Sequence, residues 1–139
     1  MVKDIYAQLQ DKNIRLTSLR KEIIRVFSLS NKPLTILQVN ILLNKKKCFP
    51  HKTSLYRHIE QFVDNDVIQI VQLRDGVIYY ELQSQHHHHF VCQNCDCVLC
   101  LDDVHVAALM STVITSLEKN GLIINEHRLS FIGLCKKCQ

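Results

Sequence analysis

Two pairs of cysteines, each with the spacing Cys-x2-Cys, limit what this 139-residue chain can fold into more than any other feature. They are Cys92 with Cys95, and Cys135 with Cys138. One such pair holds a metal ion from a tight turn, and two pairs complete the tetrahedral thiolate shell of a structural zinc site. The second pair lies in a C-terminal segment that would fray unless it were tied down. The pattern therefore predicts one structural Zn²⁺ per chain.

Other interpretations of the cysteines depend on the compartment. No signal peptide is visible in the sequence, and no apolar run approaches the ~18 residues of a membrane span. We therefore expect a cytoplasmic protein without membrane contact, whose thiols stay reduced. A redox Cys-x-x-Cys motif would need a βαβ setting, which the sequence lacks. Cys97 and Cys100 form a third pair with the same spacing, so another pairing stays open.

Charge and metal-binding residues divide the chain at the same place. Residues 1–66 carry 12 Lys or Arg and 6 Asp or Glu, whereas residues 67–139 carry 5 and 7. Six of the seven cysteines and six of the eight histidines lie in the second part. A basic first part suits an anionic partner such as nucleic acid, and a second part rich in Cys and His suits metal.

Helical periodicity and helix-capping residues organise the first part. Ile5 and Leu9 fit a short opening helix, and Thr17 is expected to cap the next helix. From Thr35 to Gln38 the chain has the form of a capping box at the start of another helix. The predicted buried stripe of that helix consists of Leu37, Ile41 and Leu42.

A further helix is expected after Pro50, with Thr53 as its cap. Its inward-facing residues are predicted to be Leu55, Ile59, Phe62 and Val63, and its polar face carries Ser54, Arg57, His58 and Gln61. The hydrophobic period then changes to two, and Arg74-Asp75-Gly76 predicts a hairpin turn. Helices followed by a two-stranded wing predict a winged helix-turn-helix, whose helix from Thr53 enters the major groove of DNA.

Basic side chains in this part are candidates for contacts with phosphates or base edges. They are Lys3, Lys12, Arg15, Arg20, Lys52 and Arg57. A helical bundle whose polar face contacts nothing is the alternative that the pattern leaves open.

Four consecutive histidines, His86 to His89, run directly into the first cysteine pair. The run is internal, so it is not a purification tag. Along a strand, His87 and His89 face one side, where Glu81 and Cys100 complete a tetrahedral set of ligands. On the other side, His86 and His88 could use His127 as a third ligand. A run of surface histidines without function is the alternative.

The ordered series of these motifs resembles the ferric uptake regulator family of bacterial metal-dependent repressors over nearly the whole chain. The resemblance rests on Arg15-Leu-Thr17 with Arg20, on Thr53-Ser-Leu-Tyr56-Arg57, on the stretch from His87 to Cys95, and on His127 before Cys135 and Cys138.

The resemblance implies an α+β fold with two domains. Residues 1–82 would form the winged helix-turn-helix domain that binds DNA. Residues 83–139 would form a small α/β dimerisation domain with a three-stranded sheet. Its strands are expected near 87–92, 97–101 and 129–134, and its helix near 103–120.

The resemblance also implies roles for single residues, since Arg15, Tyr56 and Arg57 match family residues that contact DNA. With their polar and basic neighbours, the predicted DNA-binding set is Arg15, Arg20, Lys52, Thr53, Ser54, Tyr56 and Arg57. The metal ligands fall into three groups: Cys92, Cys95, Cys135 and Cys138 for structural zinc; Glu81, His87, His89 and Cys100 for a sensing site at the domain hinge; and His86, His88 and His127 for a further site.

The chain departs from the family pattern in two places. Iron and peroxide sensors place a histidine in the stretch that is Asn31 to Leu34 here, and this sequence has none there. The acidic residue of the further site falls on Ala107, with His105 two positions away. That site is therefore expected to be incomplete.

The ligand types of the sensing site favour Zn²⁺, because a thiolate and imidazoles suit zinc, whereas Fe²⁺ and Mn²⁺ sites favour oxygen and nitrogen. Zinc sensors of the family carry one Cys and one acidic residue there, but Glu81 and Cys100 stand in the reverse order. Cys97 could also displace Cys100 as the ligand. Fe²⁺ or Mn²⁺ is the alternative metal.

These features together predict a repressor that binds double-stranded operator DNA as a homodimer when its sensing site holds zinc, and thereby controls metal-uptake genes. Regulation by iron, manganese or peroxide is the alternative. An enzyme is not expected, because the sequence shows none of the catalytic zinc motifs, and no small-molecule substrate is predicted. A metal-buffering protein would use the same ligands but has no need of the basic helices.

Overall fold

Helices dominate the first part of the chain and strands the second. The elements in chain order are α1 (Val2–Asp11), α2 (Ser18–Ser28), α3 (Ile36–Lys45), α4 (Lys52–Asp64), β1 (Ile68–Arg74), β2 (Val77–Leu82), β3 (His88–Cys92), β4 (Val98–Leu101), α5 (Val104–Lys119) and β5 (Ser130–Gly133). The computed structural model describes residues 2–74, 76–83, 87–101, 104–125, 127 and 129–139. The chain divides into a first unit, Met1–Ser84, and a second unit, Gln85–Gln139.

The starts of α2 and α3 confirm the predicted caps. The hydroxyl of Thr17 accepts a hydrogen bond from the Arg20 backbone N–H at 3.3 Å. At α3, the Thr35 hydroxyl accepts from the Gln38 backbone N–H at 3.3 Å, and the Gln38 side chain accepts from the Thr35 N–H at 2.9 Å. Each side chain satisfies a backbone N–H that has no partner within the helix. Local chemistry therefore determines where these two helices begin.

The start of α4 corrects the prediction that Thr53 is the N-cap. The helix begins at Lys52, its N-cap is His51, and no side-chain capping bond is present there. The His51 carbonyl already accepts from the Leu55 backbone N–H at 3.0 Å. A cap contributes only about 1 kcal/mol, so the burial of Leu55 and Ile59 outweighs it in setting the first turn.

A single buried cluster joins all the elements of the first unit. It includes Leu9, Ile23, Ile24, Leu43, Leu55, Ile59, Phe62, Ile68 and Leu82. In α4, Leu55, Ile59 and Phe62 are buried as predicted, while Val63 packs against the cluster from its edge.

The predicted buried stripe of α3 is wrong. Leu37 is 69% exposed and Ile41 46% exposed, and Leu42 is only half-buried. Val39 and Leu43 face the core instead. Two stripes with the same spacing of four residues overlap in this apolar helix, and periodicity alone does not distinguish them. Contact with the neighbouring helices decides which one is buried.

The wing is an antiparallel hairpin in which Ile68 pairs with Leu82 and Gln72 with Ile78. Gly76, the last residue of the predicted turn, has φ +73°, a conformation that glycine adopts without strain. Asp75 lies outside the described residues. The chain before α3 is tied to β2, because Leu34 and Tyr80 exchange two backbone hydrogen bonds of 2.8 Å. The first unit is thus a winged helix-turn-helix.

In the second unit, β3 is the central strand of a three-stranded sheet. It pairs antiparallel with β4 and parallel with β5, and α5 makes the connection between those two outer strands. The predicted α+β class and three-stranded sheet are confirmed. Among the described residues, no helix is both long and apolar enough to cross a membrane.

Candidate metal centres and nucleic-acid surface

The sheet register gathers four cysteines at one end of β3. Cys92, the last residue of β3, pairs with Gly133 of β5. The Gln93 backbone N–H donates to the Gly133 carbonyl at 2.8 Å, which brings the segment after β5 beside the turn that follows β3. The Sγ atoms of Cys92, Cys95, Cys135 and Cys138 all lie within 4.8 Å of one another. This cysteine cluster brings the two Cys-x2-Cys pairs together.

The thiols of the cysteine cluster differ in acidity, and the thiolate form of Cys92 is favoured. The pKa of Cys138 is raised to about 12, because hydrogen bonding with Asn94, which lowers it, is outweighed by hydrogen bonding with the Cys95 side chain and by burial. The Cys135 backbone N–H donates to Cys92 Sγ at 3.4 Å. That hydrogen bond, followed by one from the Cys95 backbone N–H, lowers the pKa of the buried Cys92 thiol to about 6. Because thiolate is the form that binds zinc, four converging sulfurs with one already acidic fit a zinc ion.

Cys97 is a fifth thiol at this cluster. Hydrogen bonding with the Cys95 side chain, followed by burial and by hydrogen bonding with the Cys135 side chain, raises the pKa of Cys97 to about 12. The spacing of the cysteines in the sequence did not decide whether Cys97 belongs with the two Cys-x2-Cys pairs or replaces Cys100 as a ligand. Only the path of the turn from Cys92 to Cys97 distinguishes those choices.

A second group of ligands forms across the β3–β4 pair. His89 stands directly opposite Cys100 in the antiparallel register. The rings of His87 and His89 are 4.7 Å apart between centroids. One ligand atom from each of His87, His89 and Cys100 lies within 4.8 Å of the others. The predicted alternation along the strand therefore places these three side chains on one side.

Glu81, the fourth predicted sensing ligand, belongs to β2 of the first unit. Its side chain is 8% exposed, which is rare for a carboxylate without a function or a partner. Gln69 on β1 donates from Nε2 to Glu81 Oε1 at 2.7 Å. This bond fixes the orientation of the carboxylate. Its membership of the sensing site stays a prediction.

Two of the three residues predicted for the further histidine site lie in the described part of the chain. His88 is buried, and its ring lies 5.7 Å from the ring of His127 between centroids. His86 lies outside the described residues. Ala107 and His105 are exposed on α5.

The N-terminal end of α4 presents five of the seven predicted DNA-binding residues. Lys52, Thr53, Tyr56 and Arg57 are exposed, and Ser54 is half-buried. The Lys52 ammonium lies 5.8 Å from the centroid of the Tyr56 ring, within the range of a cation–π contact. This contact keeps a positive charge over the aromatic ring at the start of the helix.

Arg20 differs from the other predicted DNA-binding residues, because its guanidinium is hydrogen-bonded inside the unit. It donates to the Arg15 carbonyl at 2.5 Å, to His58 Nδ1 at 3.3 Å, and to Gln61 Oε1. Arg20 thereby links the segment before α2 to two residues of α4. Its partners on α4 lie 38 and 41 residues away in sequence, so no local pattern indicates the network.

The ionisation of His58 reflects the same network. Burial, followed by the positive charges of Arg20 and Arg57, lowers the pKa of His58. A neutral imidazole can accept the hydrogen bond from Arg20 at Nδ1, whereas an imidazolium cannot.

Comparison with known proteins agrees with this architecture. The family model for the ferric uptake regulator family matches residues 11–132. The ferric uptake regulation protein of Bacillus subtilis is 30% identical over 141 residues, which cover 96% of this chain and 91% of that protein. The protein of the same description from Neisseria meningitidis is 29% identical over 135 residues, covering 96% and 92%.

Solved structures share the fold. The Helicobacter pylori ferric uptake regulator, described as having three functional metal-binding sites, superposes with a TM-score of 0.81 at 17% identity, covering 99% of this chain and 93% of that one. A zinc uptake regulator in complex with zinc and DNA superposes with a TM-score of 0.61 at 20% identity, covering 98% and 91%. The chain therefore belongs to the ferric uptake regulator family of metal-responsive transcription regulators and is not an enzyme.

Proposed function

We propose that this protein is a zinc-sensing transcriptional repressor, which binds operator DNA as a homodimer and controls metal-uptake genes in the cytoplasm. The observation that carries the proposal is the convergence of two imidazoles and one thiol, from His87, His89 and Cys100, within 4.8 Å of one another. Three such ligands are typical of a zinc site.

The cysteine cluster is proposed to hold one structural zinc per chain. Four thiols form a closed tetrahedral shell, which leaves no open position for catalysis or exchange. This site would fasten the segment after β5 to the turn after β3 and serve the fold, not the signal.

The second group is proposed to be the sensing site, with Glu81 as its fourth ligand. The soft thiol of Cys100 favours Zn²⁺ over Fe²⁺ or Mn²⁺, which favour oxygen and nitrogen ligands at a higher coordination number. When bound, the ion supplies the bonds that hold these four side chains in one arrangement. Gln69 holds the Glu81 carboxylate and so reduces the freedom lost on binding.

This ligand set suggests how metal binding at the sensing site affects DNA binding. Glu81 belongs to the first unit and the other three ligands to the second, so joining them restricts the orientation of the two units. A DNA-competent arrangement is then selected from an ensemble. Moving the population from mostly open to mostly closed needs about 5.5 kcal/mol of differential binding.

DNA contact is assigned to the exposed end of α4, with the hairpin as the wing. Lys52, Tyr56 and Arg57 are exposed there, on the basic part of the chain. A helix of this kind reads base edges in the major groove, while basic side chains bind phosphates. A two-fold dimer would present two such helices to half-sites about one turn of DNA apart.

Dimerisation is assigned to the second unit, whose helix α5 has no buried residue. Leu109, Val113 and Leu117 follow each other at intervals of four residues and are all exposed. Phe131 and Ile132 of β5 are exposed as well. Apolar stripes of this kind are buried against a partner in soluble proteins. The same stripe on a second copy would provide a self-complementary surface.

The further site stays a subsidiary proposal. The rings of His88 and His127 lie 5.7 Å apart between centroids, and His86, the third predicted ligand, lies outside the described residues. The position at which the family has an acidic ligand is Ala107 here. We assign this site a weaker affinity than the other two.

Metal stoichiometry and DNA binding test the proposal together. Protein purified without oxygen is titrated with a zinc chelator, zinc is counted by native mass spectrometry, and operator binding is measured after addition of Zn²⁺, Fe²⁺ or Mn²⁺. We expect one zinc that resists the chelator and one that leaves readily, with DNA binding following the second. Restoration by Fe²⁺ or Mn²⁺ alone would overturn the choice of metal.

Cys100→Ser is the matching variant, with Cys48→Ser as its control because Cys48 lies outside both ligand groups. Loss of the Cys100 thiolate should abolish metal-stimulated DNA binding while the resistant zinc and the fold remain. The control should respond as the unchanged protein does. A full response in Cys100→Ser would place the sensing site elsewhere.

A further inference from the structure

The last carbonyls of α4 are satisfied in two different ways. The Val67 backbone N–H donates to the Phe62 carbonyl at 2.9 Å. The Asp66 backbone N–H donates to the Val63 carbonyl at 3.0 Å, and Asp66 has the left-handed φ +56°. Bonds of this kind commonly close a helix with its own chain. The carbonyl of Asn65, the C-cap, is instead bound by side chains of another helix.

Helix α1 supplies those side chains. Gln8 donates from Nε2 to the Asn65 carbonyl at 3.2 Å, and Lys12 donates from Nζ to the same oxygen at 2.8 Å. The Lys12 ammonium also lies 3.8 Å from the Asp66 carboxylate. A positive charge at the C-terminal end of a helix is stabilised by the helix dipole. Lys12, a basic candidate for a phosphate contact, therefore directs its charge at the end of α4.

These bonds continue into the network of Arg20. Asn65 donates from Nδ2 to the Gln61 carbonyl at 2.7 Å, and Gln61 Oε1 accepts from Arg20. The polar side of α4 is thus held both from α2 and from α1. The end that α1 holds lies about 20 Å along the helix from the proposed DNA-reading residues.

Apolar packing stabilises α1 but does not determine its alignment with α4. Ile5 and Leu9 are buried in the core of the first unit, and the stabilisation from apolar burial has no direction. Hydrogen bonds depend on both distance and angle. The two donors on α1 therefore set the position of the last turn of α4, while the buried residues keep the unit folded.

We propose that Lys12 is a positioning residue for DNA recognition and not a phosphate contact: together with Gln8 it holds the last turn of α4, and so aligns Tyr56 and Arg57 at the other end of that helix. The inference rests on the DNA surface proposed above. Backbone hydrogen bonds join successive turns of a helix, so a displaced last turn shifts the first turns as well. Contacts with base edges carry the sequence preference, whereas phosphate contacts are independent of sequence. Misalignment should therefore weaken binding to the preferred sequence and leave binding to unrelated DNA unchanged.

The test uses the full zinc-loaded chain and two DNA duplexes. One duplex is selected by this protein from a random-sequence library, and the other has the same bases in scrambled order. In Lys12→Met, we expect affinity for the selected duplex to fall about fivefold, the effect of one lost hydrogen bond, while affinity for the scrambled duplex stays unchanged. Lys12→Arg keeps a charged donor and should retain the full preference.

Two further variants separate alignment from charge. Gln8→Leu removes the other donor without a change of charge and should also lower the preference for the selected duplex; it decides the question if Lys12→Met does not fold. Lys21→Met is the matched control, because it removes a positive charge from an exposed position on α2, and it should leave the preference unchanged.

Other outcomes would overturn the inference. Equal weakening of both duplexes in Lys12→Met, with the slope of log affinity against log salt reduced by about 1, would make Lys12 a phosphate contact. An unchanged preference in both Lys12→Met and Gln8→Leu would show that α1 does not align α4. If the unchanged protein selects no sequence from the library, the proposed DNA surface is wrong and the inference fails with it.

Discussion

The two units of the chain are stabilised by different means. In the first, sixteen apolar side chains from Ile5 to Leu82 form one buried cluster. In the described part of the second, the buried apolar side chains are Val91, Cys92 and Val98, and the long helix α5 buries none of its residues. The second unit instead gathers two groups of metal ligands and exposes an apolar stripe.

This difference follows from size. The second unit spans 55 residues, and chains this short bury too little surface for a large stability unless metal or a partner adds to it. The first unit has a core of its own and needs neither. We therefore expect metal removal and loss of the partner to act on the second unit, and the following predictions test that division, beginning with the largest effect.

Cys138→Ser should unfold the second unit and leave the first folded. Structural zinc in small peptides contributes about 10–16 kcal/mol of apparent binding free energy, and a site with three thiolates loses much of it. Hydrogen exchange should show fast exchange for the amides of β3 and β5, with slow exchange retained in α2 and α4. Cys48→Ser, in the first unit, is the control. Slow exchange in β3 after Cys138→Ser would show that apolar packing alone holds this sheet.

Leu109→Asp should separate the proposed dimer, because it places a charge in the centre of the apolar stripe on α5. Leu109 is 68% exposed in the single chain, so the fold of one chain should not change. A central contact of this kind contributes about 2 kcal/mol or more, which raises the dimer dissociation constant at least about thirtyfold. Sedimentation equilibrium measures it.

The matched control for that substitution is Leu37→Asp on α3, since Leu37 is 69% exposed and belongs to the first unit. It should leave the dimer intact. If both variants dissociate the dimer equally, the apolar surface of α5 is not the specific interface.

Predictability from sequence also differs between features. The caps at Thr17 and Thr35 could be predicted, because a hydroxyl and a backbone N–H three residues away meet within one turn. The placement of His89 opposite Cys100 followed in the same way from strand alternation and a short connection. Chemistry confined to one turn or one hairpin leaves few alternatives.

Features that depend on distant packing could not be predicted in this way. The choice between the stripe of Leu37 and Ile41 and the stripe of Val39 and Leu43 depends on the helices beside α3, and the sequence pattern fits both. The internal bonds of Arg20 join segments about forty residues apart, so Arg20 resembled any other exposed basic residue near the DNA-binding helix.

Arg57→Ala and Arg20→Ala should weaken operator binding for different reasons. Arg57 is exposed, and loss of a phosphate contact should reduce the slope of log affinity against log salt by about 1. Arg20 is hydrogen-bonded within the first unit, so its loss should reduce affinity with the slope unchanged and also lower the melting temperature of that unit. Titrations at several salt concentrations separate the two. A reduced slope in Arg20→Ala would make Arg20 a direct phosphate contact.

The smallest expected effect concerns pH and also lies in the first unit. The pKa of His58 is below its ordinary 6.5, because burial and then the charges of Arg20 and Arg57 disfavour the imidazolium. In the unfolded chain, the His58 imidazole therefore binds a proton more readily than in the folded protein. The contribution of His58 to stability is complete above about pH 6.5 and is lost as the pH falls toward the lowered pKa of the folded protein. His58→Gln, which can still accept from Arg20, should lose less stability between pH 7.5 and 5.5 than the unchanged protein, by chemical denaturation at matched zinc. His51→Gln at the exposed start of α4 is the control, and an equal acid sensitivity in all three proteins would remove His58 from the stability of this unit.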